Sequence, residues 1–365
     1  MTQCYQVLSR RYRPKDFDEI VGQDVVVSAL KNAVVSGKIG HAYLFCGSRG
    51  TGKTSTARVL AKAINCEHNT GGNPCNQCSS CTHDSPGSNG IFELDAASNN
   101  SVEDIRNIVE QVRFAPTFSK YKVFIIDEVH MLSQAAFNTL LKTLEEPPTN
   151  AVFIFATTEK NKVIPTVVSR CQVMDFYSIS ERDILQNLRV ILNNENIKYE
   201  DNALSIVAER ADGAMRDALS MTEAVISHGY GVTYDMVTKS LNITNSKYYL
   251  EICEYIVNKN HAGVILCYNE MARSGVDGLQ FMDGLLRHFR SLLLTYNDAT
   301  KSLLSCCENE KQMYISQANA FDKHTVINAI MAINEWSLSY KDSINKRFHV
   351  EAMLMKLINL NSVVS

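Results

Sequence analysis

The first 156 residues alternate between two hydrophobic periods. Uninterrupted apolar runs recur at 41–46 (HAYLFC), 91–95 (IFELD), 122–127 (KVFIID) and 151–156 (AVFIFA). Short runs of this kind, bounded by polar sequence, suit strands buried on both faces. Between them, over 24–36, 54–64, 101–113 and 133–146, apolar residues return every three or four positions, the period of an amphipathic helix. Gly37 closes the first of these helices, and Ser101 with Asp104 opens the third as a capping box. Strands alternating with amphipathic helices predict a parallel sheet covered by helices.

Elsewhere the pattern changes. Residues 1–23 read as an irregular basic lead-in, with Arg10, Arg11, Arg13 and Lys15 before Gly22. After about residue 178 the strand-like runs stop. Three helices are expected over 181–194, 202–211 and 214–227, with breaks near Lys198–Asp201 and Asp212–Gly213. Past Asn242 the pattern stays helical, with a hairpin over 254–275 and long helices over 323–339 and 345–360. The expected organisation is an α/β domain (1–178), a small helical domain (179–242) and a larger helical domain (243–365).

Composition narrows the class. The 365 residues are 45% hydrophobic and 21% charged, with a net charge of -3. That apolar fraction belongs to folded chains, and the length suits two or three domains. The charge balance excludes a broadly basic nucleic-acid binder but allows a local basic lining. No apolar run approaches the ~18 residues of a membrane span. The start MTQCYQVLSRRYRP lacks the apolar centre of a secretion signal. A cytoplasmic protein is expected.

The eleven cysteines change the picture more. Cys66, Cys75, Cys78 and Cys81 fall within sixteen residues, while Cys4, Cys46, Cys171, Cys253, Cys267, Cys306 and Cys307 are scattered. In a reducing compartment a tight cluster reads as metal or redox chemistry rather than disulfides. Two-residue gaps place thiolates on one side of a tight turn, and a fourth ligand from a longer loop completes a tetrahedron. With no open coordination position evident, structural Zn2+ is favoured, pinning an insertion over 66–90. An iron–sulfur cluster or free thiols are the alternatives. His68 and His83 read as solvated.

Gly47-Ser48-Arg49-Gly50-Thr51-Gly52-Lys53-Thr54 fits GxxxxGK[ST], between an expected strand and an expected helix. Such a loop aims backbone N–H groups at phosphate, and the helix N-terminus adds partial positive charge. Lys53 would reach the β/γ-phosphates and the Thr54 hydroxyl would ligate Mg2+. The run VFIID places Asp127 at the C-terminal edge of a buried strand, where open α/β sheets bind ligands. Asp127 suits the Mg2+ sphere, and Glu128 suits polarising an attacking water. Thr157, after AVFIFA, could hydrogen-bond the γ-phosphate or that water; a helix cap is the plainer reading. Arg170 and Arg216 read as surface ion pairs or as charge donors to a transition state.

Together these residues resemble one family. RYRPKDFDEIVGQ (11–23), HAYLFCGSRGTGKTS, the four-cysteine insertion, LDAASNNSVEDIR, IDEVHML, LKTLEEPP, FATTE, SRCQ and RDALS occur in the order seen in the gamma/tau subunit of bacterial DNA polymerase III. Over about residues 1–242 the resemblance rests on these motifs, and over 243–365 on helical character, length and position. It implies an AAA+ parallel sheet with a zinc-binding insertion, a helical lid, and a helical C-terminal oligomerisation (collar) domain.

By the same resemblance, Gly47 to Thr54 with Ser55 bind ATP, and Cys66, Cys75, Cys78 and Cys81 bind zinc. Asp127 and Glu128 are the Mg2+ and catalytic acids. Thr157 looks like the first sensor, Arg216 like the second, and Arg170 like the finger that completes an adjacent subunit's ATP site. Arg11, Tyr12 and Val21 match the region around the adenine. The implied activity is an ATPase motor that opens a sliding clamp and loads it on primer–template DNA without reading base sequence. The implied partners are other clamp-loader subunits, the clamp and DNA, with self-association through the C-terminal domain. The family's long tau form carries extensions that bind helicase and polymerase; ending at LINLNSVVS, this chain is expected to be of gamma length. The competing readings are a non-hydrolysing assembly arm, disfavoured by intact Lys53, Thr54, Asp127 and Glu128, and an AAA+ remodeller or helicase, disfavoured by the cysteine insertion.

Overall fold

The computed structural model describes residues 6–360, except 83–89, 113, 115, 117–118, 228, 230, 242–245, 302 and 305–307. Cys4, His83, Cys306 and Cys307 lie outside the described residues. The chain forms two compact units, Met1–Tyr234 and Asp235–Ser365.

The first unit is built on five strands: β1 (Ala42–Cys46), β2 (Ile91–Asp95), β3 (Lys122–Asp127), β4 (Ala151–Thr157) and β5 (Gln172–Asp175). Their order is β2-β3-β4-β1-β5, and every pairing is parallel. The side-chain period of two sends each strand's residues to two cores. Leu44, Phe124, Ile126, Phe153 and Phe155 pack under the helices Val102–Val112 and Gln134–Glu145. Tyr43, Phe45, Val123, Ile125, Val152 and Ile154 face Leu30, Leu60 and Ile64 of the helices Asp24–Ser36 and Lys53–Asn65. This burial on both faces is why β1, β3 and β4 read as unbroken apolar runs.

On the first face, Phe92, Phe124, Phe153 and Phe155 stack in series at centroid separations of 5.0, 5.4 and 6.0 Å. Each such pair contributes about 0.5–1.5 kcal/mol beyond burial. The ladder ties β2, β3 and β4 together across the middle of the sheet, three residues before β3 ends at Asp127. The capping box is formed: the Asp104 amide donates to Ser101 Oγ and the Ser101 amide to Asp104 Oδ2, both at 3.2 Å.

Three expectations need correction. β5 was not foreseen: it pairs only with β1, and of its four residues only Met174 is buried, so it shows no apolar run. Strands do not stop near 178, because Lys198–Tyr199 pairs in parallel with Gly231–Val232; two residues are too few to display a period. The lead-in is not wholly irregular, since Leu8–Arg11 forms one helical turn.

Helices Glu181–Asn194, Asp201–Arg210 and Met215–Ser227 follow the sheet within the first unit. The second unit is helical. Its core joins Phe281, Leu285, Phe289 and Leu292 of helix Gly278–Thr295 to Val326 and Ile333 of Lys323–Ser339 and to Val350, Met353 and Leu357 of Lys346–Asn359. Helix Ser246–Val257 and helix His261–Arg273 form the expected hairpin. The Asn260, Asp277, Asp322 and Asn345 side chains each accept an N–H at a helix start. No helix among the described residues is long and apolar enough to cross a membrane.

Candidate functional site

The ends of β1, β3 and β4 converge because β4 lies between the other two. Register places Cys46 of β1 level with Thr157 of β4. The chain leaves β1 at Gly47, where a Cβ would lie 2.3 Å from the Phe176 carbonyl oxygen; only glycine fits so close an approach. Gly50 has φ +79°, and Gly52, at φ +101°, caps the helix that begins at Lys53.

Lys53 is buried, and its Nζ donates to the carbonyl oxygens of Gly47 and Ser48, both at 2.7 Å. Burial holds the ammonium pKa below its ordinary value, and the charges of Glu128 and Asp127 oppose that shift. The Thr54 hydroxyl donates to Asp127 Oδ2 at 2.6 Å, joining the loop to the end of β3. The Glu128 amide donates to the other oxygen of Asp127 at 2.9 Å.

Glu128 sits in the left-handed region at φ +48°, a costly conformation for a residue with a Cβ. The turn aims its carboxylate towards β4. There Oε2 accepts from the Thr158 amide at 3.2 Å and from the Thr158 hydroxyl at 3.1 Å. Thr157 is fully buried, and its Oγ1 accepts from the Glu159 amide and lies 3.0 Å from His130 Nδ1. The His130 ring thus bridges the two acids of this edge, with Nδ1 also 3.4 Å from Glu128 Oε2 and Nε2 3.5 Å from Glu159 Oε1. Thr158 and His130 were both missed from sequence. The apolar-run pattern ends before Thr158, and nothing in the spacing of His130 marks it.

A cavity of about 640 Å3 opens beside the loop, lined by Arg49 to Ser55, Asp127, Glu128, Tyr12, Val21 and Arg216. Gly47 and Ser48 lie behind it, lining a second hollow with Thr158 and Asp175. Arg216 reaches the cavity from the helix Met215–Ser227, whose lead residue Ala214 abuts Gly50. The expected Arg11 does not line it. One turn of helix points neighbouring side chains in different directions, so Arg10 faces the cavity while Arg11 pairs with Glu195 at 2.9 Å. Tyr12 also donates its hydroxyl to Glu195. Burial first, and Glu195 second, raise the Tyr12 pKa. Arg170 stands apart from this cavity. Its guanidinium donates to Glu145 Oε1 at 2.7 Å and to the Thr166 carbonyl at 2.8 Å.

The four clustered cysteines meet: the sulfurs of Cys66, Cys75, Cys78 and Cys81 all lie within 4.8 Å of one another. A tetrahedral zinc with Zn–S bonds of about 2.3 Å sets sulfurs about 3.8 Å apart, and Cys75 and Cys81 are 4.0 Å apart. Backbone amides of Gln77 and Cys78 donate to Cys75 Sγ at 3.5 and 3.3 Å, and the Cys75 amide donates to Cys66 Sγ at 3.2 Å. The Gln77 and Cys78 amides lower the Cys75 pKa to about 6, favouring the thiolate that a metal ion needs. Burial raises the Cys81 pKa well above its ordinary value. The set fits a soft tetrahedral ion. His68 is exposed, as expected.

Residues 22–180 match the family model for the DNA polymerase III delta subunit, and 183–231 match that for the ATPase lid domain of the DNA polymerase III clamp loader subunit. The gamma subunit of DNA polymerase III from Buchnera aphidicola subsp. Baizongia pistaciae is 34% identical over 370 residues, covering 98% of each chain. The tau subunit from Bacillus subtilis is 44% identical over 294 residues, 80% of this chain and 52% of that one. The chain thus spans about half the length of that tau relative and nearly all of the gamma relative. Among solved structures, a RuvB variant of Thermotoga maritima aligns with a TM-score of 0.50 and 20% identity, over 67% of this chain and 79% of that chain. That likeness is one of fold.

Proposed function

The chain belongs to the gamma/tau family of DNA polymerase III subunits, the AAA+ ATPases of the clamp loader, and from that premise we propose that it is an ATP-hydrolysing motor subunit that opens a sliding clamp and loads it on primer–template DNA. The observation that carries the reading is the convergence of Lys53, Thr54, Asp127 and Glu128 at one sheet edge, beside a cavity that also receives Arg216.

The residues divide the work. Gly47 to Ser55 would cradle the phosphates with backbone N–H groups, and Lys53 would exchange its two loop carbonyls for β/γ-phosphate oxygens. Thr54 and Asp127 already share one hydrogen bond and would hold Mg2+ between them. When bound, that ion neutralises charge developing on the phosphates. Glu128 would orient the attacking water. Its hold on Thr158 makes that residue, beside the proposed sensor Thr157, part of the same sensing edge. Arg216 would read the γ-phosphate from the lid, and Tyr12 and Val21 would wall the adenine side.

Arg170 is proposed to act on an adjacent subunit's nucleotide, which its distance from the cavity in its own chain supports. Cys66, Cys75, Cys78 and Cys81 are proposed to hold a structural zinc that pins the insertion. The proposed divisions are 1–178, 179–242 and 243–365, the last a collar for self-association and for the other loader subunits. The non-hydrolysing assembly arm is opposed by the complete set of acids and the lysine. The test is steady-state ATP turnover of wild type and Arg170→Ala, with partner subunits, clamp and primed DNA. Wild type should turn over slowly alone and faster with clamp and DNA. Arg170→Ala should bind ATP normally and lose the stimulation. Retained stimulation would remove Arg170 from its role; wild-type ATP binding without clamp loading would remove the motor reading.

A further inference from the structure

Three contacts bind the N-terminal segment to the helices that follow the sheet. Glu195, which closes helix Glu181–Asn194, accepts from both the Arg11 guanidinium and the Tyr12 hydroxyl. Glu223, on helix Met215–Ser227, accepts the Leu8 amide at 3.1 Å. The segment so held contributes Arg10 and Tyr12 to the cavity wall, and the helices that hold it contribute Asn187 and Arg216.

Glu195 is in a locally unfavourable place. A carboxylate at a helix C-terminus faces the negative end of the dipole, at a cost of about 0.3–1 kcal/mol, and the last turn of this helix holds no basic residue. Its side chain is only 16% exposed. Helix propensity gives no reason for an acid here; its two partners, twelve and eleven residues from the chain start, do. Arg11 supplies the missing positive charge from a distant part of the chain.

Resting on the ATPase reading above, we propose that Glu195 is a positioning residue for nucleotide binding: it ties the N-terminal wall of the cavity to the lid, so that both close on the nucleotide as one body. Tyr12 cannot keep its ring against the cavity when Glu195 is removed, and lid movement no longer carries the segment with it. Glu195 touches no nucleotide in this scheme and acts through Tyr12 and Arg11.

The experiment uses the full chain, a fluorescent ATP analogue for affinity and steady-state turnover of Mg-ATP. Wild type should bind and Lys53→Ala should not; failure of wild type to bind would sink the ATPase reading itself, and the proposal with it. Given binding, Glu195→Ala should raise the analogue's Kd and the KM for ATP about five- to tenfold, with a much smaller change in kcat. Tyr12→Phe should weaken binding on its own yet add nothing in the Glu195→Ala background. Glu195→Gln, which keeps an acceptor for Tyr12 and loses the charge facing Arg11, should fall between, and it gives the readout if the alanine variant does not fold. Wild-type affinity in both Glu195 variants, or full additivity of Tyr12→Phe with Glu195→Ala, would overturn the proposal while leaving the ATPase reading intact.

Discussion

A methyl group at position 50 would have two penalties. Gly50 needs φ +79°, and its Cβ would come within 2.7 Å of Ala214 Cβ, the residue that leads into the Arg216 helix. Gly37 also has a positive φ, +68°, but nothing lies near its missing Cβ. Gly37→Ala should therefore lower stability by only about 1 kcal/mol, with unchanged nucleotide affinity. Gly50→Ala should cost more and weaken nucleotide binding at least tenfold, since the loop and Arg216 must part. Thermal unfolding and nucleotide Kd on the two variants check this; equal behaviour would remove the argument. At this scale the sequence was legible wherever a side chain's role follows from its place in a strand–loop–helix unit, as for Lys53, Thr54 and Asp127. It was silent on Thr158 and His130, whose roles depend on the left-handed turn at Glu128 that brings its carboxylate to β4. Whether Arg10 or Arg11 lines the cavity is likewise not legible, because a single helical turn carries no period.

Among the elements, the cysteine insertion has little regular structure in its described part. Its described helix, Ser79–Thr82, is four residues long, too short to stand alone. Anchors such as Asn73, which accepts the Phe17 amide at 3.1 Å, tie the insertion to the rest of the unit, and the proposed zinc would add four bonds more. Purified chain should contain one equivalent of zinc by mass spectrometry. Cys81→Ser should lose it and unfold at lower temperature, whereas Cys253→Ser should keep it. Zinc-free wild type with unchanged melting would contradict a structural ion. Element boundaries were legible where burial is two-sided, as in β1, β3 and β4, or where amphipathic helices are long, as in Glu181–Asn194. The failures, β5 and the Lys198–Tyr199 pair, are edge pieces whose strand character comes from a neighbour and not from their own side chains.

For the whole molecule, the one tryptophan, Trp336, lies in the second unit and packs against its core. Its fluorescence therefore reports that unit's unfolding separately. The same core contains His288, whose Nε2 lies 2.6 Å from Gln317 Oε1 and whose Nδ1 has no hydrogen-bond partner among the described residues. Burial lowers its pKa to about 4 from 6.5. Because the folded pKa is depressed, the unfolded chain binds the proton more readily between those values. Stability from this group is full above pH 6.5 and falls as pH drops towards 4, by about 3 kcal/mol in all. The urea midpoint read by Trp336 should fall from pH 7 to pH 5, and His288→Phe should flatten that dependence. An unchanged slope in the variant would assign it elsewhere.

The described thiols also differ in their chemistry. Burial raises the pKa of Cys46 and Cys267 to about 11 and of Cys171 to about 12, and that of Cys253 further still, so each is inert to alkylation and peroxide near neutral pH. Cys75 is the opposite case. In the metal-free chain its lowered pKa makes it the most nucleophilic of these thiols, and oxidation there would remove one of the four sulfurs proposed to hold zinc. Oxidant applied to the metal-free chain should therefore act first at the four-cysteine cluster, outside the cavity lined by Lys53 and Asp127, and should show as a lost capacity to take up zinc.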